Sequence, residues 1–508
     1  MAKLVSVTEM RAIEQAADAA GLSYARMMEN AGRSLANAVR AHSHKPGSII
    51  GLVGPGNNGG DTLVALRILA KVTWEATAVI VGKRGKADKL VTQAQKAGVS
   101  VLRSAKSIKK LLAKSNVVLD GLLGTGIRLP LRDPYSSVLA EVKHLISQRE
   151  ERPFVVAVDC PSGMDCETGA VDGATLPADM TVSMAAVKRG MLTLPAFETL
   201  GELEVGDIGL PENLIEWTAI HRLVIDEEMA RANLPARPLD AHKGTFGTAL
   251  IVAGSRHFPG AALLAGEAAY RCGAGLVTLA VPYGLQPGLA GHLPEATWLP
   301  LPEENGAIAE DAAALVRDSL ERVTAMLLGP GLGQAESTKR FVGSLMDANL
   351  PPLVADADGL KLLAELPGWQ NRLPLNSVLT PHPGEMAILT GLSTDEVQGE
   401  RIEIAERFAN EWKHIVVLKG AFTTVASPDG RSATLAMATP ALARAGTGDV
   451  LAGLITGLRA QGMDAFEAAC SAVWLHGQAA LQATEWHAGT AGVLAGDLLK
   501  ELPALIAR

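Results

Sequence analysis

Near its end the chain carries Ala445-Gly446-Thr447-Gly448-Asp449, leading into an apolar helical run through Leu458. A glycine-rich turn that opens a helix presents backbone N–H groups at the positive end of the helix, a setting that suits phosphoryl oxygens. A carboxylate one step inside such a turn can accept the proton of a hydroxyl as it attacks phosphorus. Asp449 is therefore a candidate general base for phosphoryl transfer, with Gly448 in the anion cradle. The plainer alternative, a tight turn with a helix cap, is weakened by three companion motifs. These are Gly329-Pro330-Gly331-Leu332-Gly333, Thr380-Pro381-His382-Pro383-Gly384-Glu385 and Lys419-Gly420-Ala421, each following a short apolar run.

A second set lies in the front half. Gly54-Pro55-Gly56-Asn57-Asn58-Gly59-Gly60-Asp61 follows the run Ser48 to Val53 and precedes a helical pattern from Thr62 to Lys71. It is neither the dinucleotide GxGxxG pattern nor a Walker A loop, since the Lys-Ser/Thr pair is missing. Asp120-Gly121-Leu122-Leu123-Gly124-Thr125-Gly126 and Asp159-Cys160-Pro161-Ser162-Gly163-Met164-Asp165 close two further runs. In an open parallel sheet such loops meet at the carboxyl ends of the strands, where they would enclose one pocket. Their Asn and Asp oxygens suit a hard cation; taken singly, each aspartate could equally cap a helix or form a turn.

The elements that must hold these residues read as alternating strands and helices. Ser48 to Val53, Ala76 to Val81, Asn116 to Leu119, Phe154 to Val158 and Met180 to Met184 form one series. Thr248 to Ala253, Leu276 to Val281, Ala325 to Leu328, Leu353 to Ala355, Ser377 to Leu379 and His414 to Leu418 form another. Both have the rhythm of a parallel sheet flanked by helices. Between Trp217 and Lys243 the pattern lapses, and Pro235 and Pro238 mark the expected join. The expectation is two α/β domains, residues 1–215 and 225–508, sharing an architectural class without being repeats of each other.

Bulk properties exclude several classes. A chain of 508 residues exceeds one hydrophobic core. A net charge of −8 argues against a nucleic-acid partner, which calls for a basic face, and an aromatic share of 4% lowers the case for base-stacking platforms. Cys160, Cys166, Cys272 and Cys470 are scattered without paired spacing, so neither a disulfide framework nor a zinc site is expected. The first residues pass directly into a charged helical pattern with no secretory apolar core, and no apolar run is long enough to span a membrane. A cytoplasmic protein is expected.

At this point the motifs resemble known families. Asn57-Asn58-Gly59-Gly60-Asp61, Leu123-Gly124-Thr125-Gly126 and Val158-Asp159-Cys160-Pro161-Ser162-Gly163 look like the signature loops of the NAD(P)H-hydrate epimerase family, over roughly residues 1 to 215. The resemblance implies a Rossmann-like three-layer α/β/α fold and a potassium ion held by Asn58, Asp120 and Ser162. It also implies substrate contacts from Asn57 to Asp61 (Asn57, Asn58, Gly59, Gly60, Asp61), from Gly124, Thr125, Gly126, Ile127 and Arg128, and from Asp159 as catalytic base. Thr62 stands where the family more often has glycine.

In the rear half, the Gly446–Asp449 loop and its companions, with His242-Lys243-Gly244 and Ala253-Gly254-Ser255, resemble the ribokinase-like fold and, within it, the ADP-dependent NAD(P)H-hydrate dehydratases, over roughly residues 225 to 508. That implies nucleotide binding by Lys419, Gly420, Ala421, Phe422 and Gly448. It implies contacts to the hydrated nicotinamide from Ala262, Gly331 and His382, and Asp449 as base. Magnesium and ADP follow as cofactor and co-substrate, hydrated NADH and NADPH as substrates, and a homo-oligomer as the usual assembly. Thr439 to Arg444 departs from the family's usual stretch before the anion loop. Two rivals remain: a vitamin-precursor alcohol kinase sharing the Gly-Thr-Gly-Asp loop, and a front half serving only as a binding or scaffolding module.

Overall fold

The computed structural model describes residues 1–43, 45–85 and 88–507. The chain divides into two compact units, Ala2–Arg222 and Leu223–Arg508, the latter with Met1. The expected join is more structured than its composition suggests: a strand, Arg222–Ile225, and a helix, Glu227–Ala232, lie inside it. Asp226 caps that helix by accepting from the Met229 N–H at 2.8 Å, a local signal overridden in the sequence by the neighbouring prolines.

The front unit is built on a seven-stranded sheet. Its strands run in the order Ser100–Leu102, Glu75–Ile80, Ser48–Val53, Val117–Gly121, Phe154–Val158, Met180–Met184, Glu202–Gly206. All pair in parallel. Because successive side chains alternate across a strand, Val156 and Val158 enter one apolar cluster and Val155 and Ala157 the other. A sheet buried on both faces needs helices on both, which gives three layers. The strand order reverses between Ser48–Val53 and Val117–Gly121, so a crevice opens beyond their carboxyl ends.

The rear unit contains a ten-stranded sheet. Its parallel part reads Ile415–Leu418, Val378–Leu379, Leu353–Ala355, Ala325–Leu328, Thr248–Val252, Leu276–Pro282, Thr297–Leu301. Thr424–Ala426 and Ser432–Leu435 extend it by antiparallel pairing, and Arg222–Ile225 is the outermost, tenth strand. Leu250 and Val252 face one apolar cluster, Ala249 and Ile251 the other. The order reverses between Ala325–Leu328 and Thr248–Val252, placing the Gly254 and Gly329–Gly333 turns side by side: the Gly254 N–H donates to the Pro330 carbonyl at 2.8 Å.

The helix Thr447–Ala460 packs on this sheet against Gly260–Arg271 at very short range. A methyl group on Gly453 would lie 2.2 Å from the Ala265 carbonyl oxygen. No helix among the described residues is long and apolar enough to cross a membrane.

Six strands of the two large sheets were not anticipated: Ser100–Leu102, Glu202–Gly206, Arg222–Ile225, Thr297–Leu301, Thr424–Ala426 and Ser432–Leu435. Most are short or carry polar residues, and sheet pairing rather than local pattern decides them.

Candidate active sites

The front crevice is a cavity of about 530 Å³. Asn57, Asn58, Asp61, Gly124 to Ile127 and Asp159 line it, together with Arg11, Glu14 and Met184. Gly59, Gly60 and Arg128 do not reach its wall; Arg128 is exposed. The motif Asn57–Asp61 is also not a loop before a helix. It forms the first turns of the helix Asn57–Ala70, whose cap is Gly56, and Asp61 makes no capping bond. Its carboxyl instead faces the cavity, where burial, and then the charges of Asp159 and Glu14, push it well above the ordinary carboxylate range. Glu14 is raised too, first by its own burial and then by Asp159.

Asp159 ends the strand Phe154–Val158 with φ +65°, a left-handed backbone that costs a non-glycine residue about 1–3 kcal/mol and persists where surroundings enforce it. Its Oδ1 accepts from the Met184 N–H at 2.9 Å and from the Lys188 ammonium. Lys188 is only 1% exposed and also donates to Ser183 Oγ and the Met184 carbonyl, each at 3.0 Å. This lysine was missed by sequence reasoning, since a lone Lys after a strand has no motif. It is set by the short parallel pairing of Val187–Lys188 with Leu4–Val5.

Asn58, Asp120 and Ser162 come together beside that cavity. Ser162 donates from Oγ to Asp120 Oδ1 at 2.6 Å and from its N–H to Oδ2 at 2.8 Å. Asn58 Nδ2 donates to the Val158 carbonyl at 2.5 Å, and Gly124 leaves room for its Oδ1, which a methyl group there would approach to 2.2 Å. Asp120 is fully enclosed, its carboxyl raised by burial, with no cationic group acting on it among the described residues. A buried carboxylate amid amide and hydroxyl oxygens fits a hard monovalent cation. Thr62 donates to the Asn58 carbonyl at 2.7 Å, steadying the turn without entering the cavity.

In the rear unit, Asp449 sits in the first turn of Thr447–Ala460, which starts at Gly446 with φ +91°. Behind the turn the buried His476 donates from Nε2 to the Thr447 carbonyl at 2.9 Å; burial holds its pKa down at about 4, so the imidazole is neutral. Burial first, then the nearby Asp356, raises the Asp449 carboxyl to about 7, against the pull of Lys419. The Lys419 ammonium donates to Asp356 Oδ1 at 2.6 Å and lies 3.8 Å from Glu385 Oε2. A methyl group on Gly448 would lie 3.5 Å from that ammonium, so anion cradle, lysine and base share one site. Asp356 was also missed; its sign in the sequence is an acidic residue closing the apolar run Leu353 to Ala355.

The remaining residues surround this centre. His382 caps the helix Pro383–Thr390, its Nδ1 accepting from the N–H groups of Gly384 at 3.0 Å and Glu385 at 3.3 Å, which leaves Nε2 as the donor, 3.4 Å from Glu385 Oε1. Glu385 completes the capping box by accepting the His382 N–H at 2.9 Å. Gly331 (φ +64°) packs against the Phe258 backbone and Ala261, next to the buried Ala262. The Gly333 N–H donates to Asp358 Oδ2 at 3.0 Å, tying that loop to an aspartate whose charge acts on Asp449.

Lys419 to Phe422 form the turn before Thr424–Ala426. Phe422 buries its ring and donates its N–H to the Met437 carbonyl at 3.0 Å, so it shapes the turn from within. The unusual Thr439–Arg444 segment folds as a single 3₁₀ turn, Pro440–Leu442, and Thr447 Oγ1 donates to the Leu442 and Arg444 carbonyls at 2.9 Å each. It thereby buttresses the anion loop.

A base must be ionised to accept a proton, so kcat/KM of the rear-unit reaction should rise with pH through a midpoint near 7, the value set by burial of Asp449. A pH–rate profile that is flat across that midpoint would remove Asp449 from the role.

Two families match the chain. The one described as NAD(P)H-hydrate dehydratase covers residues 249–504, and the one described as YjeF-related protein N-terminus covers residues 24–190. The chain is 36% identical to the bifunctional NAD(P)H-hydrate repair enzyme Nnr of Moorella thermoacetica, over 94% of this chain and 92% of that protein. It is 33% identical to the protein of the same name from Escherichia coli, over 98% and 92%. Among solved structures, a Bacillus subtilis ADP/ATP-dependent NAD(P)H-hydrate dehydratase co-crystallised with ATP/Mg2+ is 35% identical, covering 57% of this chain and 99% of that one, with a TM-score of 0.49.

Proposed function

Because the chain belongs to the family of bifunctional NAD(P)H-hydrate repair enzymes, we propose that its front unit interconverts the R and S hydrates of NADH and NADPH, and its rear unit dehydrates the S form with ADP, giving NAD(P)H, AMP and phosphate. The observation that carries the rear-unit reading is the meeting of a half-buried base, a lysine and an open helix start at Asp449, Lys419 and Gly448.

The hydrate carries its hydroxyl on a ring carbon next to nitrogen. Hydroxide leaves poorly, and phosphorylation makes it a good leaving group. Asp449 takes the hydroxyl proton as the oxygen attacks the terminal phosphorus of ADP, while Lys419 and the N–H groups around Gly448 stabilise the charge on the transferring oxygens. Loss of phosphate, driven by the ring nitrogen, and of a proton from the neighbouring ring carbon then forms the double bond and restores the reduced ring. Gly331, Ala262 and the half-exposed imidazole of His382 hold the nicotinamide end, and the Lys419–Ala421 turn holds the nucleotide.

Magnesium, when bound with the nucleotide, neutralises phosphate oxygens. No group of three or more His, Cys, Asp or Glu side chains among the described residues could hold a metal, so the ion would ride chiefly on the phosphates.

In the front unit Lys188 and the Met184 N–H occupy one oxygen of Asp159, leaving the other to take the hemiaminal hydroxyl proton as the ring C–N bond opens to the aldehyde, and to return it when the nitrogen closes on the opposite face. Asn58, Asp120 and Ser162 would hold potassium, which supplies fixed positive charge beside the bound substrate. The substrate contacts assigned to Asn57, Asp61 and Gly124–Ile127 are supported by their place on the cavity wall.

The test supplies S and R hydrates separately, with ADP and then ATP, to wild type and Asp159→Ala. Recovery of the reduced-nicotinamide absorbance from S hydrate in both proteins, and from R hydrate only in wild type, is the expected result. No recovery from S hydrate, or accumulation of a stable phosphorylated product as a vitamin-precursor kinase would give, rejects the rear-unit reading. R hydrate consumed equally fast by Asp159→Ala rejects the front-unit one.

A further inference from the structure

Asp356 is assigned no part in the chemistry above, yet its carboxylate lies at the centre of the rear site. It closes the strand Leu353–Ala355, is 1% exposed, and is followed by Ala357 at φ +51°, so its position is enforced by the backbone. One oxygen, Oδ1, accepts from Lys419 Nζ at 2.6 Å and from Thr380 Oγ1 at 2.7 Å. Those two donors come from the ends of two other strands, so Asp356 ties three strand ends together. A carboxylate whose Oδ1 is held by two donors, and which is almost wholly enclosed, is poorly placed to act as base itself.

We propose that Asp356 is a positioning residue: it pins the Lys419 ammonium and so keeps it from closing an ion pair on Asp449. The alternative partners for that ammonium are near at hand. Gly448, the residue before Asp449, lies beside Lys419 Nζ, and Glu385 Oε2 is 3.8 Å away. An ammonium resting on Asp449 would occupy the oxygen that must face the substrate hydroxyl and would weaken it as a base. Held on Asp356, the same ammonium is left pointing toward the cradle where phosphoryl oxygens would lie.

The electrostatics agree with this division. The charged groups facing Asp449 are Asp356 and Asp358 from one strand end and its helix, and Lys419 from the next turn, with Glu385 acting on the lysine and the neutral His476 behind. Asp356 raises the basicity of Asp449 directly, and it is the first of the carboxylates that offset the lowering of Lys419 by burial.

The proposal rests on Asp449 being the base, and the experiment separates the two ideas. Asp356→Asn keeps shape and one acceptor oxygen but removes the charge. Its pH profile of kcat/KM for the S hydrate of NADH with ADP should show the acid limb moved to lower pH than in wild type, and its plateau kcat should fall by about 10–100-fold, part of the 10²–10⁴-fold carried by a general base. A defect of folding alone lowers the active fraction and leaves the limb in place. An unmoved limb, a limb moved upward, or turnover as low as in Asp449→Asn would overturn the proposal. If Asp449→Asn itself turns over normally, the base assignment fails instead. Should Asp356→Asn not fold, as judged by its thermal melt, Asp356→Glu carries the test. It keeps the charge, so the limb should stay with wild type while KM for ADP rises several-fold; a limb shifted downward in that variant would count against the idea.

Discussion

Asp449→Asn should fold, bind nucleotide and lose turnover by about 10²–10⁴-fold, the usual contribution of a positioned general base. Asparagine keeps the shape of the side chain at the first turn of Thr447–Ala460, and Gly446, Gly448 and Lys419 are untouched, so the anion cradle survives. What disappears is a half-buried carboxyl whose affinity for a proton lies near neutrality. A carboxyl raised to about 7 ionises near neutrality and is basic enough to accept a proton from an alcohol that is acquiring a phosphoryl group. Single-turnover absorbance recovery with the S hydrate of NADH, alongside ADP binding by calorimetry, separates loss of chemistry from loss of binding. Near-normal recovery would sink the role.

Lys188→Met should destabilise the front unit by about 3–5 kcal/mol, the range for breaking a buried ion pair from one side. The ammonium is enclosed and serves three acceptors: Asp159, Ser183 and the Met184 carbonyl. Methionine fills the volume but leaves the Asp159 carboxylate facing Asp61 and Glu14 with its principal counter-charge gone. Those two already bind protons more tightly than usual because of burial and the charge on Asp159, so the cavity has little capacity for another unpaired anion.

Calorimetric unfolding should show the front-unit transition shifted down and the rear-unit transition unmoved, with R-hydrate epimerisation lost. Lys188→Arg, which keeps the charge, should retain more stability than Lys188→Met. Unchanged melting in Lys188→Met would mean that Asp159 does not depend on the pair.

The residues that carry the chemistry were legible where chemistry leaves a local trace. Gly446–Asp449 must be glycine-rich to open a helix onto an anion, and Asp120 and Asp159 stand where apolar strands stop. The strands Ser48–Val53, Phe154–Val158, Met180–Met184, Ala325–Leu328 and Leu353–Ala355 were readable because fully buried parallel strands are continuous apolar runs. Less legible were residues whose roles come from partners distant in sequence. Lys188 meets Asp159 because Val187–Lys188 pairs with the start of the chain, and Asp356 meets Lys419 because Val378–Leu379 pairs with the strands of both. Nor did the motif Asn57–Asp61 announce that it was already helical, since Gly59 and Gly60 argue locally for a turn.

The sequence by itself therefore determined the two α/β halves, the glycine-rich turns and the two aspartates at the strand ends, because each depends on periodicity or backbone freedom within a few residues. Only the tertiary structure decided which charges face one another: Lys188 against Asp159, Asp356 against Lys419, and Asp61 with Glu14 in one cavity. Burial and distance set the proton affinities of these groups, and both are properties of strands and helices brought together from across each unit.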